Sequence, residues 1–227
     1  MAEIDSAIKG LFRAHALTRK VKRRSVVVPY ADPQKSLFMV SKGSLRVSLC
    51  SEGGDDVIHL CHFAPGDVFG EQGLFDNEYT PLTTATMQAR TDVEILSIPH
   101  QLVKRAALID KKIYAEISSL INQRLATATT KLTQVVFSDL EQRCYDCLLD
   151  MTRLPDAMTH PDGMQISLSR IELAQMIRCT RETAGRVLKG LAEQNKISIQ
   201  GQRIVINGVR HHAGSPRIMI LGELVDA

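Results

Sequence analysis

Between Val26 and Ile98 apolar and polar residues alternate in short runs broken by turn residues. Leu45-Arg46-Val47-Ser48-Leu49 is followed by Gly53-Gly54-Asp55 and then by Ile58-His59-Leu60. Alternation with a period of two over so few residues predicts half-buried strands. With further turns at Pro65-Gly66-Asp67 and Gly70, and a last strand at Val93-Glu94-Ile95-Leu96-Ser97-Ile98, this stretch is an all-β unit. Many short strands pack most readily as a roll or barrel. After Pro99 the period changes. From about Asp110 to Phe137 there is neither Pro nor Gly, and Leu125, Ala128, Leu132 and Val135 recur at alternating steps of three and four. That predicts a long helix with an apolar seam, suited to contact between two copies of the chain, although a seam packed on its own domain fits the spacing as well.

Ser138-Asp139-Leu140-Glu141 has the Ser-x-x-Glu form of a capping box, so a new helix and a second domain begin just after Phe137. Ser169-Arg170-Ile171-Glu172 repeats the form and opens a helix whose Leu173, Ala174 and Ile177 face inward, with Arg178-Cys179 as the turn after it. Thr180 is a suitable N-cap for the next helix, in which Ala184, Val187, Leu188 and Leu191 make a buried stripe. The opposite face then carries Arg181, Glu182, Gly185, Arg186 and Lys189, all within about 140° of arc. Ile197-Ser198-Ile199 and Ile204-Val205-Ile206, joined across Gly201-Gln202, predict a hairpin directly after it. Two helices and a hairpin in this order make a winged helix-turn-helix. The chain therefore reads as α+β: a β-roll domain over 1–109, a dimerisation helix over 110–137, the winged helix-turn-helix over 138–210 and an extension over 211–227. Ile218-Met219-Ile220-Leu221 is too apolar for a free end, so the extension is expected to dock on the protein as an added strand.

Composition alters this picture little. The 227 residues are 44% hydrophobic and 23% charged, as in an ordinary globular chain. No run reaches the roughly 18 apolar residues of a membrane span. Met1-Ala2-Glu3-Ile4-Asp5 lacks the basic start of a secretory signal, so the expectation is a cytoplasmic protein without a membrane partner. Five cysteines make an odd count and point to free thiols; Cys144 and Cys147, without neighbouring Cys or His, read as packing residues and not as metal ligands. The net charge of +3 does not announce nucleic acid by itself. Where the charges sit does. Arginine donates two hydrogen bonds to a guanine edge and glutamate accepts from cytosine N4, so Arg181, Glu182 and Arg186 can read bases, with Ser169, Arg170 and the helix N-terminus at Thr180 placed for phosphates and Lys189 on the same DNA-facing side. A solvated helix face with a Glu182–Arg186 pair is the plainer alternative.

The string Cys179-Thr180-Arg181-Glu182-Thr183-Ala184-Gly185-Arg186-Val187-Leu188-Lys189 resembles the recognition helix of the catabolite activator protein, or cyclic-AMP receptor (Crp-Fnr), family. Residues 155–166, and the turns Lys42-Gly43-Ser44, Pro65-Gly66-Asp67 and Gly70-Glu71-Gln72-Gly73-Leu74-Phe75, resemble that family too, over about Leu37 to Arg210. The resemblance implies a bacterial transcription regulator, not an enzyme, bound as a homodimer to double-stranded DNA with palindromic TGTGA-like half-sites. It makes Arg181, Glu182 and Arg186 the base readers and Arg170 a phosphate contact. Residues 156–164 read on their own only as a polar loop before a strand; the resemblance implies contact with the C-terminal domain of the RNA polymerase α chain through Asp156, Thr159, His160 and Gly163, and a second polymerase surface near Arg19, Lys20, Lys22, Arg23 and Arg24, which read equally as a solvated basic edge.

The effector pocket departs from the family. Gly70 and Glu71, matching the family's Gly-Glu turn whose Glu meets the ribose of a cyclic nucleotide, are present, but Thr83, beside Thr84, stands where the phosphate-binding arginine is expected. Between Arg46 and Arg90 there is no Lys or Arg, against Glu52, Asp55, Asp56, Asp67, Glu71, Asp76 and Glu78. Burying a phosphate without a cation is strongly unfavourable. On the long helix Ala128-Thr129 replaces the Thr-Ser pair that holds the base across the dimer. These residues speak against cyclic AMP and name no other cofactor. A regulator gated by cyclic nucleotide in the usual way, and a haem sensor using His59, Cys61 or His62, stay open as alternatives.

Overall fold

The computed structural model describes residues 6–29, 35–50, 57–75, 84–211, 218–220 and 223–225. The chain divides into two compact units, Met1–Lys131 and Leu132–Ala227. The expected turn at 53–55 and Thr83 lie outside the described residues, as do the side chains of Thr84 and Val135.

In the first unit the order is α1 (Ala7–His15), β1 (Leu17–Val21), β2 (Val26–Pro29), β3 (Ser36–Lys42), β4 (Leu45–Cys50), β5 (Val57–Phe63), β6 (Val68–Phe69), α2 (Gln72–Phe75), β7 (Thr84–Ala89), β8 (Val93–Pro99), α3 (His100–Ile109) and α4 (Lys112–Phe137), of which residues 132–137 belong to the second unit. The strands form two four-stranded antiparallel sheets, ordered β1-β8-β3-β6 and β2-β7-β4-β5. Alternation along β3 explains how the first sheet serves two cores. Phe38 and Val40 join Val47, Phe69, Met87 and Ile95 inside the roll, while Leu37 and Met39 turn to Phe12, Ile98, Val103 and Ile117 under the helices. At the corner between β3 and β4, Gly43 has φ 79°, and a Cβ there would lie 2.2 Å from the Asp92 carbonyl oxygen. Only glycine fits that turn. The β-rich reading of 26–98 therefore holds, with α1 and β1 added ahead of it and α2 inserted within it.

Glu116 of α4 closes the N-terminus of α1. Its carboxylate accepts from Ser6 Oγ at 2.5 Å, Ala7 N at 2.8 Å and Ile8 N at 3.0 Å. Burial pushes this carboxyl up, but the hydrogen bonds from Ser6, Ile8 and Ala7, with Lys112 nearby, outweigh it and hold it below the ordinary value. A carboxyl depressed in the folded state stabilises above its unfolded value of 4.5 and loses that contribution as pH falls through the lower folded value. A Glu116→Gln variant is therefore expected to melt lower than the parent at neutral pH, with the gap closing as the medium is acidified from about pH 5 towards about pH 3. Circular-dichroism melts across that range measure it.

The second unit holds α5 (Leu140–Met151), β9 (Met158–His160), β10 (Gly163–Ser167), α6 (Arg170–Ile177), α7 (Arg181–Glu193), β11 (Ile197–Gln200), β12 (Arg203–Asn207), β13 (Val209–His211), β14 (Ile218–Ile220) and β15 (Glu223–Val225). Its sheets are ordered β11-β12-β10-β9 and β13-β14-β15, so the extension contributes two strands beyond β13. Two local expectations need correction. Asp139, not Ser138, caps α5, its carboxylate accepting from Gln142 N at 2.7 Å; a charged acceptor suits the positive helix end better than a hydroxyl. The segment before the helix-turn-helix is not simply a polar loop, because Met158–His160 pairs with Gly163–Gln165 as a hairpin. Cys144 is fully buried, and burial pushes its thiol up to about 12, with Cys179 and Glu141 adding to the rise. Cys147 packs its sulfur 3.9 Å from that of Met176.

Candidate nucleic-acid interface

Local hydrogen bonds build the two-helix motif. Ser169 Oγ accepts from Glu172 N at 3.2 Å, while Glu172 Oε2 accepts from Ser169 N at 3.1 Å, so both halves of the capping box are made. α6 ends where Arg178 enters the left-handed region at φ 56°, and Cys179 N donates to the Ala174 carbonyl. Thr180 then caps α7, accepting from Thr183 N at 3.2 Å. The helices α6 and α7 pack on each other, and Leu173, Ala174 and Ile177 of the first and Ala184, Leu188 and Leu191 of the second are all buried; Val187 is half-buried.

That packing fixes which face of α7 meets solvent. Arg181, Glu182, Arg186 and Lys189 are exposed. Arg186 reaches back to Thr183 Oγ1 at 3.2 Å, so the pairing with Glu182 that the spacing allowed is not what holds it. Lys189 makes an i,i+4 ion pair with Glu193 at 3.7 Å. A Cβ on Gly185 would meet only the Arg170 side chain, at 3.9 Å and beyond. Arg170, exposed at the start of α6, therefore lies beside the same face. Five of the expected contact residues come together here, while Ser169 and Thr180 are occupied as caps.

The β9–β10 hairpin and the residues just ahead of it carry the second group. Thr159 is exposed, Asp156 and His160 are half-buried, and Gly163 is buried. A Cβ on Gly163 would fall 1.9 Å from the Ile206 carbonyl oxygen, so this glycine is needed for β10 to lie against β12. The basic edge is paired with acids: Lys20 with Glu94 at 3.5 Å, and Lys22 with Asp92 at 3.4 Å. The Arg23 backbone N–H, ahead of Lys22, holds the Asp92 carboxyl below its ordinary value.

In the roll, the structure supplies what the sequence reading missed. Arg124 of α4 donates to Glu71 Oε1 at 2.5 Å and to the Val68 carbonyl, with its guanidinium 4.9 Å from the Phe63 ring centroid. A cation does therefore reach the acidic stretch, from 53 residues further along the chain. Its charge is already engaged by Glu71, whose other oxygen, Oε2, is buried without a hydrogen-bond partner among the described residues. Nearby, burial holds the Asp67 carboxyl above its ordinary value despite the Ala64 N–H and Arg124. Gly70 turns at φ 89°, and its carbonyl accepts from His100 Nε2 at 2.9 Å. Ala128 and Thr129 are exposed, and the Thr129 hydroxyl donates back to the Leu125 carbonyl. Arg124 had one sequence signal: it sits seven residues after Ile117, on the helix stripe that Ile113 and Ile117 bury. His59 Nδ1 lies 2.7 Å from Ser48 Oγ and Cys61 packs on the roll core, which accounts for both without a haem. Among the described residues no group of three or more His, Cys, Asp or Glu could hold a metal, and no helix is long and apolar enough to cross a membrane.

Comparison with known proteins matches residues 18–110 to a cyclic nucleotide-binding domain and residues 142–210 to a Crp-like helix-turn-helix domain. The cAMP-activated global transcriptional regulator CRP of Pasteurella multocida is 35% identical over 199 residues, 88% of this chain and 94% of that one. The cAMP-activated global transcriptional regulator Vfr of Pseudomonas aeruginosa is 34% identical over 198 residues, 87% and 92% of the two chains. Among solved structures, the c-di-GMP responsive global regulator CLP of Xanthomonas campestris superposes with a TM-score of 0.74 at 31% identity, covering 89% of this chain and 98% of that one. These relatives regulate transcription and are not enzymes. Likeness at this level along nearly the whole of each relative, together with the two capped helices and their exposed basic face, means that the chain belongs to the Crp-Fnr family of helix-turn-helix transcription regulators.

Proposed function

We propose that this regulator binds a palindrome of two TGTGA-like half-sites as a homodimer, that Arg181, Glu182 and Arg186 read bases and Arg170 and Lys189 hold phosphates, and that it does so without cyclic AMP. The observation that carries the DNA reading is the exposed face of α7, with Arg170 alongside, while Leu173, Ala174, Ile177, Ala184, Leu188 and Leu191 are buried away from it. Polymerase contact through Asp156, Thr159 and His160 fits their position along β9 and just ahead of it; Gly163, at the start of β10, supports the hairpin from within. A cytoplasmic location follows from this role.

Dimerisation rests on α4. Leu125 and Leu132 are 64% and 66% exposed in the single chain, at the spacing of a two-helix seam. Charging both, as Leu125→Lys with Leu132→Lys, is expected to weaken self-association more than tenfold, about 1.4 kcal/mol. Sedimentation velocity over a concentration series reads this directly; an unshifted dimer in the double variant would remove the seam from the interface.

For the effector, the supporting facts are Thr83 in place of an arginine, Ala128 in place of a base contact, and an Arg124 guanidinium already neutralised by Glu71. A ligand shifts a two-state regulator only through differential affinity for the two states. Such a pocket offers a cyclic phosphate little of it. Exhaustively dialysed protein is therefore expected to bind operator DNA with an affinity that cyclic AMP or cyclic GMP changes less than about tenfold, or 1.4 kcal/mol of coupling. Cyclic di-GMP belongs in the same titration because a relative of similar length responds to it. Micromolar cyclic AMP binding with a larger gain in DNA affinity overturns this part and restores gating by cyclic nucleotide.

A further inference from the structure

The turn between β9 and β10 presents four consecutive backbone carbonyls, from His160 to Gly163, and all four are taken up by the stretch just beyond β12. Gly208 N donates to the Asp162 carbonyl at 2.8 Å. Arg210 Nη1 donates to the carbonyls of His160 and Gly163, each at 2.8 Å, and Nη2 donates to that of Pro161. A surface turn ordinarily leaves such acceptors to water. Here one planar guanidinium serves three of them, a fork that the point charge of lysine cannot reproduce. Arg210 is also the last residue matched by the Crp-like helix-turn-helix, yet the chain runs on to 227. The extension adds a ladder: Val209 pairs with Ile220, Arg210 with Met219 and His211 with Ile218, and β15 backs β14.

We infer that Arg210 is a positioning residue for the 160–163 turn and that β14, by fixing the backbone of β13, holds Arg210 in place to do it. The extension thereby pre-orders a surface on which Thr159, Pro161 and Asp162 are exposed, and a turn ordered in advance costs less entropy when a protein docks on it. The use of that surface for RNA polymerase rests on the function proposed above; the ordering does not.

Amide hydrogen exchange on the full-length chain separates the two. Arg210→Gln is expected to speed exchange over residues 158–164 at least tenfold while leaving α7 and operator affinity unchanged, and Arg210→Lys is expected to recover little of it. Proline removes a ladder donor, and donors alternate along an antiparallel strand, so Met219→Pro in one variant and Ile218→Pro with Ile220→Pro in another cover both phases. At least one is expected to reproduce the local effect of Arg210→Gln. Unchanged exchange at 158–164 in Arg210→Gln overturns the positioning role, and unchanged exchange in both proline variants overturns the part given to β14. A rise that spreads equally through α7 overturns both, since it reports general loosening. Binding to the isolated C-terminal domain of the RNA polymerase α chain is read in parallel. Faster local exchange with that binding weakened supports the whole inference, whereas faster exchange with no such binding in any variant, parent included, upholds the positioning role and removes the polymerase reading.

Discussion

An Arg181→Ala, Arg186→Ala double variant is expected to lose sequence-specific DNA binding almost completely while remaining folded. Each bidentate contact to a guanine edge contributes about 1–3 kcal/mol of discrimination. The two positions are about 7.5 Å apart along the axis of α7, far enough for their losses to add approximately, so the double change should cost about 2–6 kcal/mol per half-site. Both side chains are exposed, which keeps the effect on folding within about 0.5 kcal/mol. Random DNA provides the control. Its affinity should fall much less, whereas Arg170→Ala should weaken specific and random DNA alike and reduce the salt slope by about one. Lys189→Ala should do the same more weakly, because Glu193 already shares its charge. Gel shifts or fluorescence anisotropy over a salt series measure all three variants. Equal losses on operator and random sequence in the double variant would falsify the base-reading role of α7.

Arg124→Met is expected to destabilise the β-roll unit. The substitution leaves Glu71, 13% exposed, without its counter-ion, while Oε2 already has no partner among the described residues and the Val68 carbonyl and the Phe63 face lose their contact with Arg124. Breaking a fully buried pair costs about 3–5 kcal/mol, and since Arg124 is 33% exposed we expect about 2–3 kcal/mol. The companion variants make the cause specific. Glu71→Gln alone should cost less, because Arg124 retains the Val68 carbonyl, the Phe63 ring and partial access to water. The double variant Arg124→Met, Glu71→Gln should be more stable than Arg124→Met, since no uncompensated charge remains. Denaturant melts give the three values. If Arg124→Met equals the parent, the pair does not brace α4 against the roll, and the cation would then be free for an anionic ligand after all.

How far these features could be read from the sequence depended on how close together their causes lie. The helix-turn-helix was legible almost to the residue. Ser169 and Glu172, Thr180 and Thr183, the period of Ala184, Leu188 and Leu191, and the Gly201 turn each act within one helical turn or one hairpin, so the sequence states them directly. The β character of 26–98 and the long helix were legible for the same reason, since a period of two or of 3.6 is a local property. The Asp139 cap was ambiguous only because two capping residues stand side by side. The pairing of β9 was hidden because three polar-flanked residues carry no period, and a glycine required by a neighbouring strand, as Gly163 is, looks like any turn glycine. What only the tertiary structure decided is where charged groups find partners. Glu116 closes α1 across 110 residues, Arg124 meets Glu71 across 53, and Arg210 reaches the His160 carbonyl across 50. A charge count along the chain found no cation for the pocket, because the one that arrives is carried on another element and brought in by the packing of α4. Periodicity fixes which face of an element is buried, but the cost of burying a charge unpaired is settled only when the folded chain brings the opposite charge to it.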